Sequence, residues 1–147
     1  MRKTLKIIIL SLLIANVAHS ETQEEKRARY VLVNMQQDYI KCYSFYKIGA
    51  EYVRKSNGDP EIIKGIEKSS DNSLKLAHDT GEIMEMSSDE MSKMVKSEMK
   101  KQLNQISNDF NNASILIEKY AQLCKNLTEN KKQRISFWEK KAINKFK

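Results

Sequence analysis

The stretch DYIKCYSFYKIGAEY, residues 38–52, sets Cys42 among four tyrosines and a phenylalanine. A thiol there could be a nucleophile, a metal ligand or half of a disulfide. A nucleophilic thiolate needs a base beside it, and the chain has two histidines, His19 near the N-terminus and His78. That is thin support for thiol chemistry. The one other cysteine is Cys124. An even pair in an oxidising compartment reads first as a disulfide, closing a loop of about 80 residues and contributing about 4 kcal/mol in the chain-entropy account. A bridge between two chains and a pair of buried thiols are the alternatives.

Methionine offers a second chemistry. Met84, Met86, Met91, Met94 and Met99 fall close together, with His78 just upstream. Thioethers are soft ligands that suit Cu(I), which makes Met84, Met86, Met91 and Met94 a weak candidate metal site. The competing reading outweighs it: Met is an adaptable core filler, and Met91, Val95 and Met99 follow one helical face. No cofactor is expected. The carboxylates Glu82, Glu85, Asp89, Glu90 and Glu98 alternate with Lys93 and Lys96 as helix-surface charges do. Glycoside cleavage would require two of them to face each other across a cleft. The sequence holds no Gly-rich phosphate loop and no nucleophile elbow. Asn112-Ala-Ser and Asn126-Leu-Thr match the glycosylation pattern, which matters only in a eukaryotic secretory route. The expectation is a protein that is not an enzyme.

The tail KKQRISFWEKKAINKFK is the most distinctive surface feature. Residues 131–147 carry seven Lys or Arg against one Glu, whereas residues 21–130 carry sixteen basic against eighteen acidic side chains. The chain's net +7 is therefore a property of the tail and the leader. On a helix Ile135, Trp138, Ala142 and Phe146 share one face. Lys131, Lys132, Arg134, Trp138, Lys140, Lys141 and Lys145 could then contact an anionic membrane or an acidic polymer. The competing reading docks Ile135 and Trp138 on the rest of the protein and leaves the lysines solvated. Nucleic acid is a poor partner, because no recognition motif accompanies the charge.

The elements that position these residues begin with a leader, MRKTLKIIILSLLIANVAHS. Arg2, Lys3 and Lys6 precede an apolar run from Ile7 to Val17, and Ala18 and Ser20 supply the small residues of a cleavage site. The run is short for a span, and no cysteine follows it for lipidation. Residues 1–20 are expected to be a signal peptide, cleaved near Ser20, and the short Lys-rich leader looks bacterial. The mature protein would then be secreted or periplasmic.

The mature chain reads as all-α. Ala28, Leu32, Met35, Tyr39, Cys42, Tyr46, Gly49 and Val53 step by four and three, a heptad seam. Ser56-Asn57-Gly58 ends this helix, with Gly taking the left-handed turn, and Asp59-Pro60 starts the next. The second helix runs to about Met86. Ser87 and Glu90 then form a capping box for a third, whose seam is Met99, Leu103, Ile106, Phe110, Ala113, Ile117, Tyr120, Cys124 and Leu127. If that helix were unbroken it would extend about 60 Å and carry Cys124 past Cys42, whereas bridged Cα atoms must lie within about 7 Å. Either the third helix bends or splits near residues 107–112, or it stays long and the first helix runs antiparallel along its upper half.

The organisation is thus a signal peptide over 1–20, a helical bundle of three long helices over 21–128 with one disulfide, and a basic amphipathic helical tail over 129–147. The run from Asn111 to Trp138 resembles small exported bacterial helical proteins, a likeness that implies a fold and a compartment and no activity. The functional expectation is an exported protein-binding module. The alternative is a peripheral binder of an anionic envelope surface through the tail, and a further one is periplasmic Cu(I) binding.

Overall fold

The computed structural model describes residues 21–147, so the signal peptide and cleavage expected over residues 1–20 lie outside the described residues. Those residues form helices and no strand: α1 Gln23–Lys55, α2 Pro60–Ile83, α3 Ser88–Gln105, α4 Ser114–Glu129 and α5 Lys131–Lys145. A 3-10 turn, Phe110–Asn112, leads into α4.

The helix ends follow local chemistry. Thr22 and Glu25 exchange reciprocal side-chain to backbone bonds at the start of α1, and Ser87 and Glu90 do the same at the start of α3. The Asp59 carboxylate accepts from the Glu61 amide, and Pro60 occupies the first turn of α2. The end of α1 differs from the expectation in one respect: the left-handed residue is Asn57, at φ 53°, not Gly58. The Gly58 amide reaches back to the Val53 carbonyl at 2.8 Å. Glycine is needed there for room, because a Cβ would lie 2.4 Å from Val53 Cγ1.

The third helix is split. The Ser107 amide donates to the Asn104 carbonyl at 3.0 Å and the Asn108 amide to the Leu103 carbonyl at 2.8 Å, a Schellman closure built without glycine. Ser107 and Asn108 both take positive φ, 54° and 57°. Asp109 then accepts from the Asn111 amide and opens the 3-10 turn. The break falls within residues 107–112, the first of the two expected geometries, and gives five helices among the described residues where three long helices and a tail were expected. Beyond the break Ala113, Tyr120, Cys124 and Leu127 of the expected seam are buried, but Leu116, 1% exposed, takes the place given to Ile117, which is 50% exposed.

The path alternates in direction. α2 returns antiparallel along α1, with Ser70 Oγ donating to the Tyr43 carbonyl and Gln36 Nε2 to the Ala77 carbonyl. α3 runs back along the same stretch, from Met91 beside Gly81 to Gln102, whose amide nitrogen donates to the Lys41 carbonyl at 2.9 Å. α4 and α5 then follow each other down α1: Tyr120 meets Phe45, Cys124 joins Cys42, and Phe146 meets Tyr30. Every other helix packs on α1. Its middle is accordingly buried on several faces at once, including Gln36, Asp38, Ile40, Ser44 and Ile48. A single heptad seam describes a helix with one neighbouring face, and α1 is a hub. Ala28, placed on that seam, is exposed.

Candidate functional site

Asp38 is completely buried on α1. Its Oδ2 accepts from Arg134 Nε and from Trp138 Nε1, each at 2.7 Å, and its Oδ1 accepts from Lys41 Nζ at 3.2 Å. A carboxylate taken out of water costs several kcal/mol unless donors replace the lost hydration, and here three do. The sequence spacing explains the donors: Arg134 and Trp138 are one turn apart on α5, so both reach the same oxygen. Ile135 and Trp138 pack against the core, and Ala142 is buried. At the far end the Arg27 guanidinium donates to the Phe146 carbonyl at 2.6 Å. The edges of Trp138 and Phe146 meet the Tyr30 ring at centroid distances of 6.1 and 5.8 Å. α5 is therefore docked along its length.

Docking divides the residues marked for anionic contact. Arg134 and Trp138 turn inward to Asp38. Lys131 lies over the Tyr39 ring at 5.9 Å and Lys145 over Tyr30 at 4.7 Å. Lys132, Lys140 and Lys141 are exposed. Phe137 is 41% exposed, with Arg134 Cζ at 4.5 Å from its centroid and Lys141 Nζ at 5.7 Å.

The methionines are spread through the packing. Met91 is buried, and Met86, Met94 and Met99 pack against the core. The Met86 sulfur accepts a weak bond from Gln36 Nε2 at 3.5 Å. Met84 is the half-buried C-cap of α2, and His78 is exposed. No group of three or more His, Cys, Asp or Glu side chains converges among the described residues.

Cys42 and Cys124 form a disulfide with Cα atoms 5.4 Å apart, and neither remains a thiol. Of the tyrosines around Cys42, Tyr39 and Tyr46, the two on the seam, belong to the core packing. Burial pushes the Tyr39 hydroxyl above its ordinary pKa, with the Asp38 charge acting in the same direction. Burial also raises Tyr46. Among the described residues no helix is long and apolar enough to cross a membrane.

One concave site was not anticipated. Between the C-terminal half of α1, the first half of α2 and the start of α4 lies a cavity of about 220 Å³. Phe45, Tyr46, Gly49 and Val53 line it from α1, Ile66 from α2, and Leu116 and Ile117 from α4. Gly49, about two turns inside the C-terminal end of a 33-residue helix, was the available signal, and it passes in the seam as one more position. Asp38 also escaped notice, since its partners lie far along the chain. No family model matches the chain, and comparisons with curated proteins and with solved structures give no match either.

Proposed function

We propose that the protein is an exported, non-enzymatic interaction module that binds another protein through the outward face of α5. The leader sequence and the disulfide support export, since such bonds persist in oxidising compartments. The observation that carries the binding reading is the latch of Arg134 and Trp138 on Asp38. It holds α5 as a rigid platform, with Lys132, Lys140 and Lys141 exposed and Phe137 exposed beside Arg134 and Lys141. A fixed aromatic ring amid cations is the kind of surface from which interface anchors are drawn, and it suits a partner with acidic groups.

A second reading is favoured by the charge of residues 131–147, seven basic against one acidic: the same face would rest on an anionic envelope surface. The two readings separate experimentally. A photo-crosslinker at position 137 in producing cells should trap a protein, and the triple change Lys132→Glu, Lys140→Glu, Lys141→Glu should remove the adduct. Binding to phosphatidylglycerol vesicles lost in the same triple variant, with no protein adduct, selects the surface reading. Neither adduct nor charge-dependent vesicle binding would end both.

A further inference from the structure

We propose that the cavity between α1, α2 and α4 is a binding site for a small molecule bearing an uncharged apolar group about the size of one aromatic ring. Three helices supply its walls, so it is a concavity and not a flat apolar face. Its volume, about 220 Å³, exceeds that of an engineered cavity of roughly 150 Å³ that stays dry and takes up benzene. It falls short of the several hundred Å³ usual for drug-sized ligands. The lining side chains bring no charge, and among them only the hydroxyls of Tyr46 and Tyr52 are polar. A charged group entering it would surrender hydration for little return.

The second observation is Gly49. A Cβ built on it meets no heavy atom within 4 Å, so no close approach demands glycine there. The residue is helical and its φ is negative, so no backbone conformation demands it either. Glycine weakens a helix interior relative to alanine. The sequence thus gives up helix stability at the position where a larger side chain would fill the cavity. Departures of this kind from local consistency are expected at functional sites.

The walls are also held apart. The Cys42–Cys124 bond fixes α4 against α1 two turns from Gly49, and the Phe45 ring rests on Tyr120 at 6.4 Å. At the mouth Ile117 is half exposed, so a ligand can enter without unfolding. The site stands apart from the α5 face: Gly49 is about 16 Å along α1 from Asp38. Either proposal can fail without the other.

The test is a methyl NMR titration of the mature chain with toluene, using benzoate as the charged control. Saturable shifts at the methyls of Val53, Ile66, Leu116 and Ile117 are expected, with benzoate at least about tenfold weaker. Gly49→Leu should weaken toluene binding by about tenfold or more, while the thermal midpoint holds or rises. Should that variant fail to fold, Gly49→Ala is the second probe, and a smaller weakening in the same direction is expected. The absence of saturable shifts, equal affinity for benzoate, or unchanged affinity in the folded Gly49 variants would each overturn the proposal. So would a partner protein that crosslinks at position 117 while toluene does not bind, which would assign the cavity to an anchoring side chain.

Discussion

Arg134 Nε lies 2.7 Å from Oδ2 of Asp38, a residue 96 positions earlier in the chain. The same oxygen takes the Trp138 indole N–H, so one buried carboxylate gathers the two most recognition-competent side chains of the basic tail. The tail is in consequence part of the fold first. On the proposed reading a partner would meet the side of α5 that Asp38 does not use.

Removing the guanidinium should be costly. In Arg134→Ala the Asp38 carboxylate stays buried with Trp138 and Lys41 alone, and breaking a buried pair typically costs about 3–5 kcal/mol. Arg134 retains 22% side-chain exposure, which places the expectation at the lower end of that range. Lys140→Ala, at an exposed position, should stay within about 0.5 kcal/mol of the parent. Urea denaturation of both variants decides it; equal losses would mean that the pair contributes nothing.

The disulfide should act mainly on the unfolded chain. It joins residues separated by 82 positions, for which the chain-entropy account gives about 4 kcal/mol. Reduction and the double change Cys42→Ala, Cys124→Ala should lower the thermal midpoint by similar amounts, measured by far-UV circular dichroism. A midpoint unmoved by either would show that packing between α1 and α4 suffices.

Much of this was legible locally. The capping box at Ser87, the start at Asp59-Pro60 and the pairing of the two cysteines each rest on residues close in sequence or on simple parity. The break near Ser107-Asn108 was one of two geometries that let Cys42 and Cys124 meet. The remainder depended on contacts that no local pattern carries. The heptad runs on through the break and holds at Ala113, Tyr120, Cys124 and Leu127, and spacing alone could not tell that Leu116 and not Ile117 is the buried member between them. Gln36 and Gln102 lie off the apolar seams, yet both are fully buried, Gln36 because α1 has neighbours on several sides and Gln102 because its amide packs on the Lys41 carbonyl of α1. The cavity at Gly49 is a property of three helices together, and only the glycine itself was visible beforehand.

The break carries a stability prediction of its own. Ile106, wholly buried as the C-cap of α3, should cost about 2–5 kcal/mol on change to Ala. Leu103 and Phe110 are only half buried, so their truncation should cost less, although all three lie on the same apparent seam. Ser107→Gly should stabilise by up to about 1 kcal/mol, because φ 54° suits glycine better than serine. Ser107→Val should destabilise, as a β-branched residue tolerates that conformation poorly. A larger fall in denaturant midpoint for Leu103→Ala than for Ile106→Ala, or a Ser107→Val midpoint equal to the parent's, would mean that α3 continues through residue 107 in solution.

Acid should loosen the start of α3 through Glu90. Its carboxylate accepts from the Ser87 hydroxyl at 2.7 Å and from the Ser87 amide at 2.9 Å. Those bonds hold its pKa below the ordinary 4.5, the hydroxyl contributing most. A depressed carboxylate stabilises the fold fully above the unfolded value and loses that contribution as pH falls through the folded one. Glu90→Gln keeps a capping side chain without the titrating charge. Thermal midpoints should therefore be nearly parallel for parent and variant between pH 7 and 5. Below the ordinary carboxylate value the parent should fall more steeply, and the gap between the two should narrow. Curves that stay parallel down to pH 3 would place the acid sensitivity elsewhere, with Glu25, depressed in the same way by Thr22, as the next residue to change.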